Sequence, residues 1–146
     1  MRARELMTAD PACVTRDDSV QLAAQLMRDR DVGLIPVLRG SGSRELAGVL
    51  TDRDIAIRCV AAGRGADTLV GDIMSGDVRT VTSDDDVRTV MTLMGREQVR
   101  RIPVVDERGS VVGIVSQADI VLEAEDDLAA ERTVERISQE SETTVG

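Results

Sequence analysis

Short apolar runs along the chain predict β-strands. The clearest runs are rich in Val, Ile and Leu, contain four or five apolar residues each, and are bounded by turn-forming or polar residues. They are LIPVL at 34–38, LAGVL at 46–50, RIPVV at 101–105 and VVGIV at 111–115. The segments between the paired runs, RGSGSRE at 39–45 and DERGS at 106–110, have lengths typical of antiparallel hairpins. Two further short β segments, CVT at 13–15 and TVT at 80–82, precede the helical regions.

A second hydrophobic period predicts helices between these strands. Val87, Val90, Met91 and Met94 fall at i, i+3, i+4 and i+7, which places them on one face of a helix. The equivalent positions in the first half of the chain are Val20, Ala23, Ala24 and Met27. Another helix is expected after each hairpin, and the last one can continue from Ile120 to about Ser138. The mixture of elements predicts an α+β protein.

The chain contains an internal repeat. Residues 7–38 and 74–105 align at a constant offset of 67 with 13 identities in 32 positions. Two additional residues in the first hairpin turn then reduce the offset to 65. Each repeat has the element order β-α-β-β-α, so we divide the chain into repeat 1 (residues 1–66), repeat 2 (67–125) and a C-terminal acidic helix with a flexible tail (126–146).

The two repeats are expected to pack together. A chain of 146 residues can bury roughly 68–70% of the surface of its unfolded form. A single repeat near 60 residues would be marginal, so the repeats should pack through their sheets with pseudo-two-fold symmetry and share one core. Because the sequence has no Phe, Trp or Tyr, aliphatic side chains must fill that core.

The composition excludes most enzyme classes. All 18 basic residues are Arg, and the absence of His and Lys removes the usual general base, metal ligand and Schiff-base nucleophile. Cys13 and Cys59 lack the spacing of a zinc or redox motif and are interpreted as small buried hydrophobic residues, with a thiol sensor as the alternative. No enzymatic activity, resident cofactor or metal is expected.

The charge distribution disfavours nucleic acid as a partner. The net charge is −9, and residues 121–146 carry −6 of it, as eight acids and two arginines. No segment has the length and apolar character of a signal peptide or of a bilayer-spanning helix. These features predict a cytoplasmic protein with neither a nucleic-acid nor a membrane partner.

One motif occurs in both repeats, as GVLTDRDI at 48–55 and GIVSQADI at 113–120. A hydroxyl followed three residues later by a carboxylate can cap a helix. The same helix start can bind an anion, with the hydroxyl of Thr51 or Ser116 meeting phosphate and the carboxylate of Asp54 or Asp119 accepting from a ribose diol. Gly48 and Gly113 would then allow a flat group to approach the strand. Acid/base or Mg²⁺ chemistry at Asp52-Arg53-Asp54 is a lesser alternative, because adjacent helical residues point in different directions.

The two repeats resemble a tandem pair of cystathionine-β-synthase (CBS) domains, the Bateman module. The resemblance covers residues 3 to about 123 and rests on the Ile-Pro-Val strand and the Gly-hydrophobic-hydrophobic-Thr/Ser-x-x-Asp turn, each present twice. LTDRDIAIRCVAAG at 50–63 and QVRRIPVV at 98–105 are also similar to small stand-alone CBS pairs of the actinobacterial hypoxic-response type.

The resemblance implies two clefts that bind adenosine-containing ligands such as AMP, ADP, ATP or S-adenosylmethionine. Asp54 and Asp119 would hold ribose, and Thr51 and Ser116 would meet phosphate, with Arg101 adding charge. The adenine slot would be lined by a further set of residues. They are Val14, Thr15, Ile35, Pro36, Val81, Thr82, Ile102 and Pro103.

The two clefts cannot be electrostatically equivalent. Repeat 2 has Arg100-Arg101 where repeat 1 has Gly33-Leu34, so we expect at most one strong polyphosphate site. The resemblance further implies a homodimer formed through helices, and because no catalytic domain is fused here, the signal would pass to a separate downstream protein. The alternative is a ligand-free structural or stress-induced interaction protein whose Thr/Ser-x-x-Asp turns only cap helices.

Overall fold

A computed structural model describes the backbone of residues 1–145 and the side chains of residues 1–133. The elements up to the end of repeat 1 are α1 (Ala3–Leu6), β1 (Thr8–Ala9), β2 (Val14–Thr15), α2 (Val20–Arg30), β3 (Leu34–Leu38), β4 (Leu46–Thr51), α3 (Asp52–Asp54) and a π-helix (Ile55–Val60). Those that follow are α4 (Val70–Ile73), β5 (Val81–Thr82), α5 (Val87–Glu97), β6 (Arg101–Val105), β7 (Val111–Ser116) and α6 (Gln117–Val145).

The α+β class and the repeat are confirmed by two similar sheets. One has the strand order β2-β3-β4 and the other β1-β7-β6-β5. In each repeat the predicted hairpin pairs antiparallel, and the short strand before the helix pairs parallel with the first hairpin strand. The hairpin turns also meet, because the amide of Leu46 donates to the carbonyl of Gly109 at 3.0 Å and the amide of Val111 donates to that of Arg44 at 2.9 Å.

The predicted helix faces are buried. Val20, Ala23 and Met27 of α2 lie in the core of the first half, and Val90 and Met94 of α5 lie in that of the second. Side chains cap both helices: Ser19 accepts from the amide of Leu22 at 3.1 Å, and Asp86 accepts from that of Arg88 at 2.8 Å. The bond from Arg88 is the main reason why the pKa of Asp86 lies below its usual value.

The buried residues form two cores, so the expectation of one shared core is wrong. Each core also contains buried residues from the start of the other repeat. Ala3 of α1, at the start of repeat 1, is buried in the core of the second half, whereas Val70 and Ile73 of α4, at the start of repeat 2, are buried in that of the first half. The two halves are therefore interlocked by exchanged leading segments.

The repeated glycines serve this exchange. A Cβ atom at Gly48 would lie 2.3 Å from the backbone oxygen of Ser75, and one at Gly113 would lie 2.5 Å from the sulfur of Met7. Ser75 pairs with Val49 of β4, and β1 pairs with β7. The prediction that these glycines admit a flat ligand is therefore wrong, because the leading segment of the other repeat already fills the space.

The last helix is longer than expected. It continues to Val145, although the sequence was interpreted as a frayed tail from residue 139, and Gly146 of that predicted tail lies outside the described residues. Among the helices of the described part of the chain, none combines the length and apolar character that crossing a bilayer requires.

Candidate functional site

The motif of repeat 1 forms a reciprocal cap where β4 becomes α3. The Thr51 Oγ1 atom accepts from the amide of Asp54 at 3.0 Å, and the Asp54 Oδ2 atom accepts from the amide of Thr51 at 3.0 Å. The capping alternative is thus present in the structure. Capping leaves other binding capacity, because the Thr51 hydroxyl retains its own hydrogen as a donor and the Asp54 Oδ1 atom can still accept.

Arg58 connects this motif to the start of the next repeat. Its guanidinium donates to the carbonyl oxygens of Ile73 and Met74, both at 3.3 Å, where α4 ends. The Arg58 Nε atom lies 3.9 Å from the Asp54 Oδ1 atom, and the Asp54 side chain is only 13% exposed. Arg58 therefore bonds to the end of a helix that belongs to the sequence range of repeat 2.

A cleft of about 860 Å³ opens beside the repeat 1 motif. Four of the predicted site residues line it together: Thr51, Asp54, Arg101 and Pro103. Its volume falls within the range of about 300–1,000 Å³ that is usual for small-molecule sites. Because β4 and α3 provide one wall and β6 another, the cleft lies between the two repeats.

Both signs of charge line the cleft. The cationic side chains are those of Arg53, Arg79, Arg100 and Arg101, and the acidic ones are those of Asp52, Asp54, Asp77 and Glu97. Arg79 is paired with Glu97, with the Nε and Oε1 atoms 3.4 Å apart. The other three arginines form no ion pair with the side chains that the structure describes. They are therefore available for an anionic ligand.

The motif of repeat 2 lies elsewhere. The Ser116 Oγ atom accepts from the amide of Asp119 at 3.1 Å, so the helix start is capped. Within the described part of the chain, neither Ser116 nor Asp119 lines the 860 Å³ cleft or the two smaller cavities of about 200 and 380 Å³. The two motifs are thus unequal, because of the two only that of repeat 1 lines one of these cavities. Gly33-Leu34 and Arg100-Arg101, which were expected to distinguish two clefts, line the same 860 Å³ cleft, so the expected difference between two clefts stays a prediction.

Most of the predicted adenine-slot residues lie outside the 860 Å³ cleft. Val14, Ile35 and Ile102 are buried in the two cores, and Pro36 is fully buried as well. Val81 lies in the core of the second half, although part of it lines the 380 Å³ cavity beside α5.

The amides of Thr15 and Thr82 are already bonded within their own turns. They donate to the carboxylates of Asp18 and Asp85 at 2.8 and 2.9 Å. Neither threonine lines the 860 Å³ cleft as the structure describes it. Of the predicted slot residues, Pro103 alone lines that cleft within the described residues, and its side chain is as fully buried as that of Pro36, so it exposes almost no surface there.

Sequence reasoning missed the wall that comes from the segment before β5. Ser75, Asp77, Val78 and Arg79 line the cleft, together with Glu97 at the end of α5. No motif marks these residues in the sequence.

The cysteines remain apart from the cleft. Both are free thiols, with Cys59 buried and Cys13 half-buried. Burial is the main cause of the raised pKa of Cys13. The nearby charge of Arg44 lowers this pKa, and the charge of Asp10 raises it further. The described residues contain no group of three or more Cys, Asp or Glu side chains placed to hold a metal ion.

Comparison with known families agrees with this geometry. The family model for the CBS domain matches residues 3–60 and 70–126. The chain belongs to the CBS-domain family. CBS pairs are regulatory modules, and the two matched ranges make this chain a tandem pair.

Two relatives cover most of this CBS pair. Hypoxic response protein 1 of Mycobacterium tuberculosis is 39% identical over 119 residues, which are 81% of each chain. The crystal structure of Hypoxic Response Protein I with two coordinated zinc ions has a TM-score of 0.75 and 37% identity, covering 83% of this chain and 97% of that one.

A third neighbour was solved with ligands, and a fourth relative is a longer enzyme. The CBS pair of protein MJ0100, in complex with 5′-methylthioadenosine and S-adenosyl-L-methionine, has a TM-score of 0.77 and 25% identity, covering 87% of this chain and 98% of that one. Homoserine O-acetyltransferase of Methanocorpusculum labreanum is 32% identical over 84% of this chain, which spans 24% of the enzyme.

Proposed function

We propose that this CBS pair is a non-enzymatic regulatory protein of the cytoplasm that binds an adenosine-containing ligand in the 860 Å³ cleft and signals to a separate protein. The observation that carries the proposal is the convergence of Thr51, Asp54, Arg101 and Pro103 on one cavity. A carboxylate that accepts from a diol suits ribose, and a hydroxyl donor together with a cation suits phosphate. The adjacent apolar wall suits adenine.

The roles follow from the chemistry of each group. The carboxylate of Asp54 accepts from the ribose hydroxyls, while the Thr51 hydroxyl and the Arg101 guanidinium donate to phosphate oxygens. Without any aromatic ring in the chain, adenine gains only aliphatic contact, so the affinity should be modest. The adenosine-type ligands in the MJ0100 structure support this ligand class for the fold.

The first test compares the two motifs by calorimetric titration with AMP, ATP and S-adenosylmethionine. Asp54→Asn removes the charged acceptor in the cleft and should weaken binding by about 10-fold or more, because hydrogen bonds to charged groups contribute roughly 1.5–3 kcal/mol. The matched control is Asp119→Asn, which makes the same change at the equivalent position outside the cleft and should leave the affinity unchanged.

Two results would contradict the proposal. Flat titrations with all three compounds for the unmodified protein would exclude an adenosine ligand. Equal losses from Asp54→Asn and Asp119→Asn would show that the 860 Å³ cleft is not the site.

The second candidate function is a ligand-free interaction protein, which the reciprocal cap between Thr51 and Asp54 favours. In that case Thr51→Ala would lower the free energy of unfolding by about 0.5–2 kcal/mol, as for other caps, while every nucleotide titration stayed flat.

We also propose that the protein acts as a homodimer. Ile57 and Val60 of the π-helix and Leu122 and Leu128 of α6 are exposed apolar side chains on the two helices that follow the hairpins. A second copy that covered them would remove apolar surface from water.

A further inference from the structure

The ion pair between Arg79 and Glu97 lies in the wall of the cleft and is not explained by the capping motif. Arg79 comes from the segment between α4 and β5, and Glu97 is the last residue of α5. Their side chains are 61% and 33% exposed, so the carboxylate is the more buried partner. Gln98, which follows with a left-handed φ of 53°, turns the chain toward β6.

The pair belongs to one half of the molecule only. At the offset of 67 that relates the repeats, Ala12 and Arg30 stand where repeat 2 has Arg79 and Glu97. A carboxylate at the C-terminus of a helix is disfavoured by the helix dipole. Glu97 is therefore placed where the helix does not favour it, with a guanidinium as its partner.

The position of Glu97 relates it to the unpaired cations. It stands three residues before Arg100, and all of Glu97, Arg100 and Arg101 line the same cleft. A phosphate bound by Arg100 or Arg101 would share the cleft with the carboxylate of Glu97. Each added phosphate group increases the repulsion from Glu97, unless that group replaces the carboxylate as the partner of Arg79.

We propose that Glu97 determines how many phosphates the cleft accepts, by holding Arg79 in an ion pair that a longer phosphate chain must replace. This inference rests on the proposed function. It makes the cleft selective for adenosine ligands with one phosphate over those with three, and it makes Arg79 a conditional phosphate ligand.

The test is calorimetric titration with adenosine, AMP and ATP, without divalent cations so that ATP carries its full charge. Glu97→Gln should tighten ATP binding by about twofold to fivefold, the factor that corresponds to the usual strength of an exposed ion pair. AMP should gain less, and adenosine should not change. In the Arg79→Gln background the same Glu97→Gln change should have a smaller effect on ATP, because it then relieves only the direct repulsion and releases no guanidinium.

Asp77→Asn is the matched control, since Asp77 lines the same cleft and forms no ion pair with the described side chains. An equal gain in ATP affinity from Asp77→Asn would indicate general electrostatics and overturn the inference. So would a ratio of ATP to AMP affinity that Glu97→Gln leaves unchanged while both nucleotides bind. If no compound binds any variant, the proposed function itself fails, and the inference fails with it.

Discussion

At the scale of the residue, the repeated motif combines two features. Its glycine lets the first segment of the other repeat approach the strand closely, and its hydroxyl caps a helix. The carbonyl oxygen of Ser75, near the start of repeat 2, lies 2.3 Å from the position that a Cβ atom of Gly48 would take, so the role of Gly48 is steric. Thr51 and Asp54 satisfy each other's amides and still line the cleft. One short motif thus holds the two halves together and forms part of the proposed site.

Two glycine substitutions test the steric role. Gly48→Ala should lower the free energy of unfolding by about 1–3 kcal/mol or more, because the new methyl would lie 2.3 Å from the Ser75 oxygen. Gly95→Ala is the control: it lies inside α5 with nothing within 4 Å of its Cβ position, and it should raise stability by about 0.5–1 kcal/mol. Urea denaturation measures both, and a neutral Gly48→Ala variant would contradict the close approach.

At the scale of the element, the order along the chain differs from the order in space. The short helix α1 lies at the start of repeat 1 but packs in the second half, where the amides of Ala3 and Arg4 donate to the carbonyls of Asp85 and Ser83 at 2.9 and 3.0 Å. Strand β1 extends the sheet of that half by pairing with β7. The first residues of each repeat therefore pack on the other repeat.

Removal of residues 1–7 tests the exchange of leading segments. Hydrogen exchange should become about tenfold faster or more in α5 and β7, because several backbone bonds of roughly 0.5–1.5 kcal/mol each are lost together with the buried Ala3. Core amides of β3 and β4 should change less. Removal of residues 140–146, equal in number, is the control. Faster exchange confined to repeat 1 would contradict the arrangement.

At the scale of the whole molecule, the exposed apolar side chains of the π-helix and α6 are the basis for the proposed dimer. Val60 is 68% exposed and Leu122 is 58% exposed. Two copies of a chain with a net charge of −9 repel each other. The free energy gained from apolar contact must exceed that repulsion for the copies to associate.

Sedimentation analysis tests the dimer. The unmodified protein should sediment as a dimer, and Val60→Asp should raise the dissociation constant by about tenfold or more, since a charge would be buried without a partner. Leu22→Asp places the same charge at a 40% exposed position on α2 and should not alter assembly. A monomer at all concentrations, or equal effects of the two substitutions, would exclude this interface.

The sequence by itself determined the repeat, the two hairpins, the helix faces and the capping turns. These features depend on neighbours within a few residues, and hydrophobic period and hydroxyl-acid spacing record them directly. It also predicts two clefts of different charge, because Arg100-Arg101 and Gly33-Leu34 stand at equivalent positions, but the structure brings both pairs into the same 860 Å³ cleft.

Only the tertiary structure decided which leading segment packs on which half and which motif faces a cavity. Arg79 and Glu97 carry no local pattern, and they meet where the parallel pairing of β5 with β6 brings the residues before β5 to the end of the sheet at which α5 leads into β6. Contacts between residues distant along the chain depend on how whole sheets and segments pack. Because the repeat pattern is the same in both halves, it does not indicate which segments pack together or which motif faces a cleft. The three-dimensional arrangement decides both.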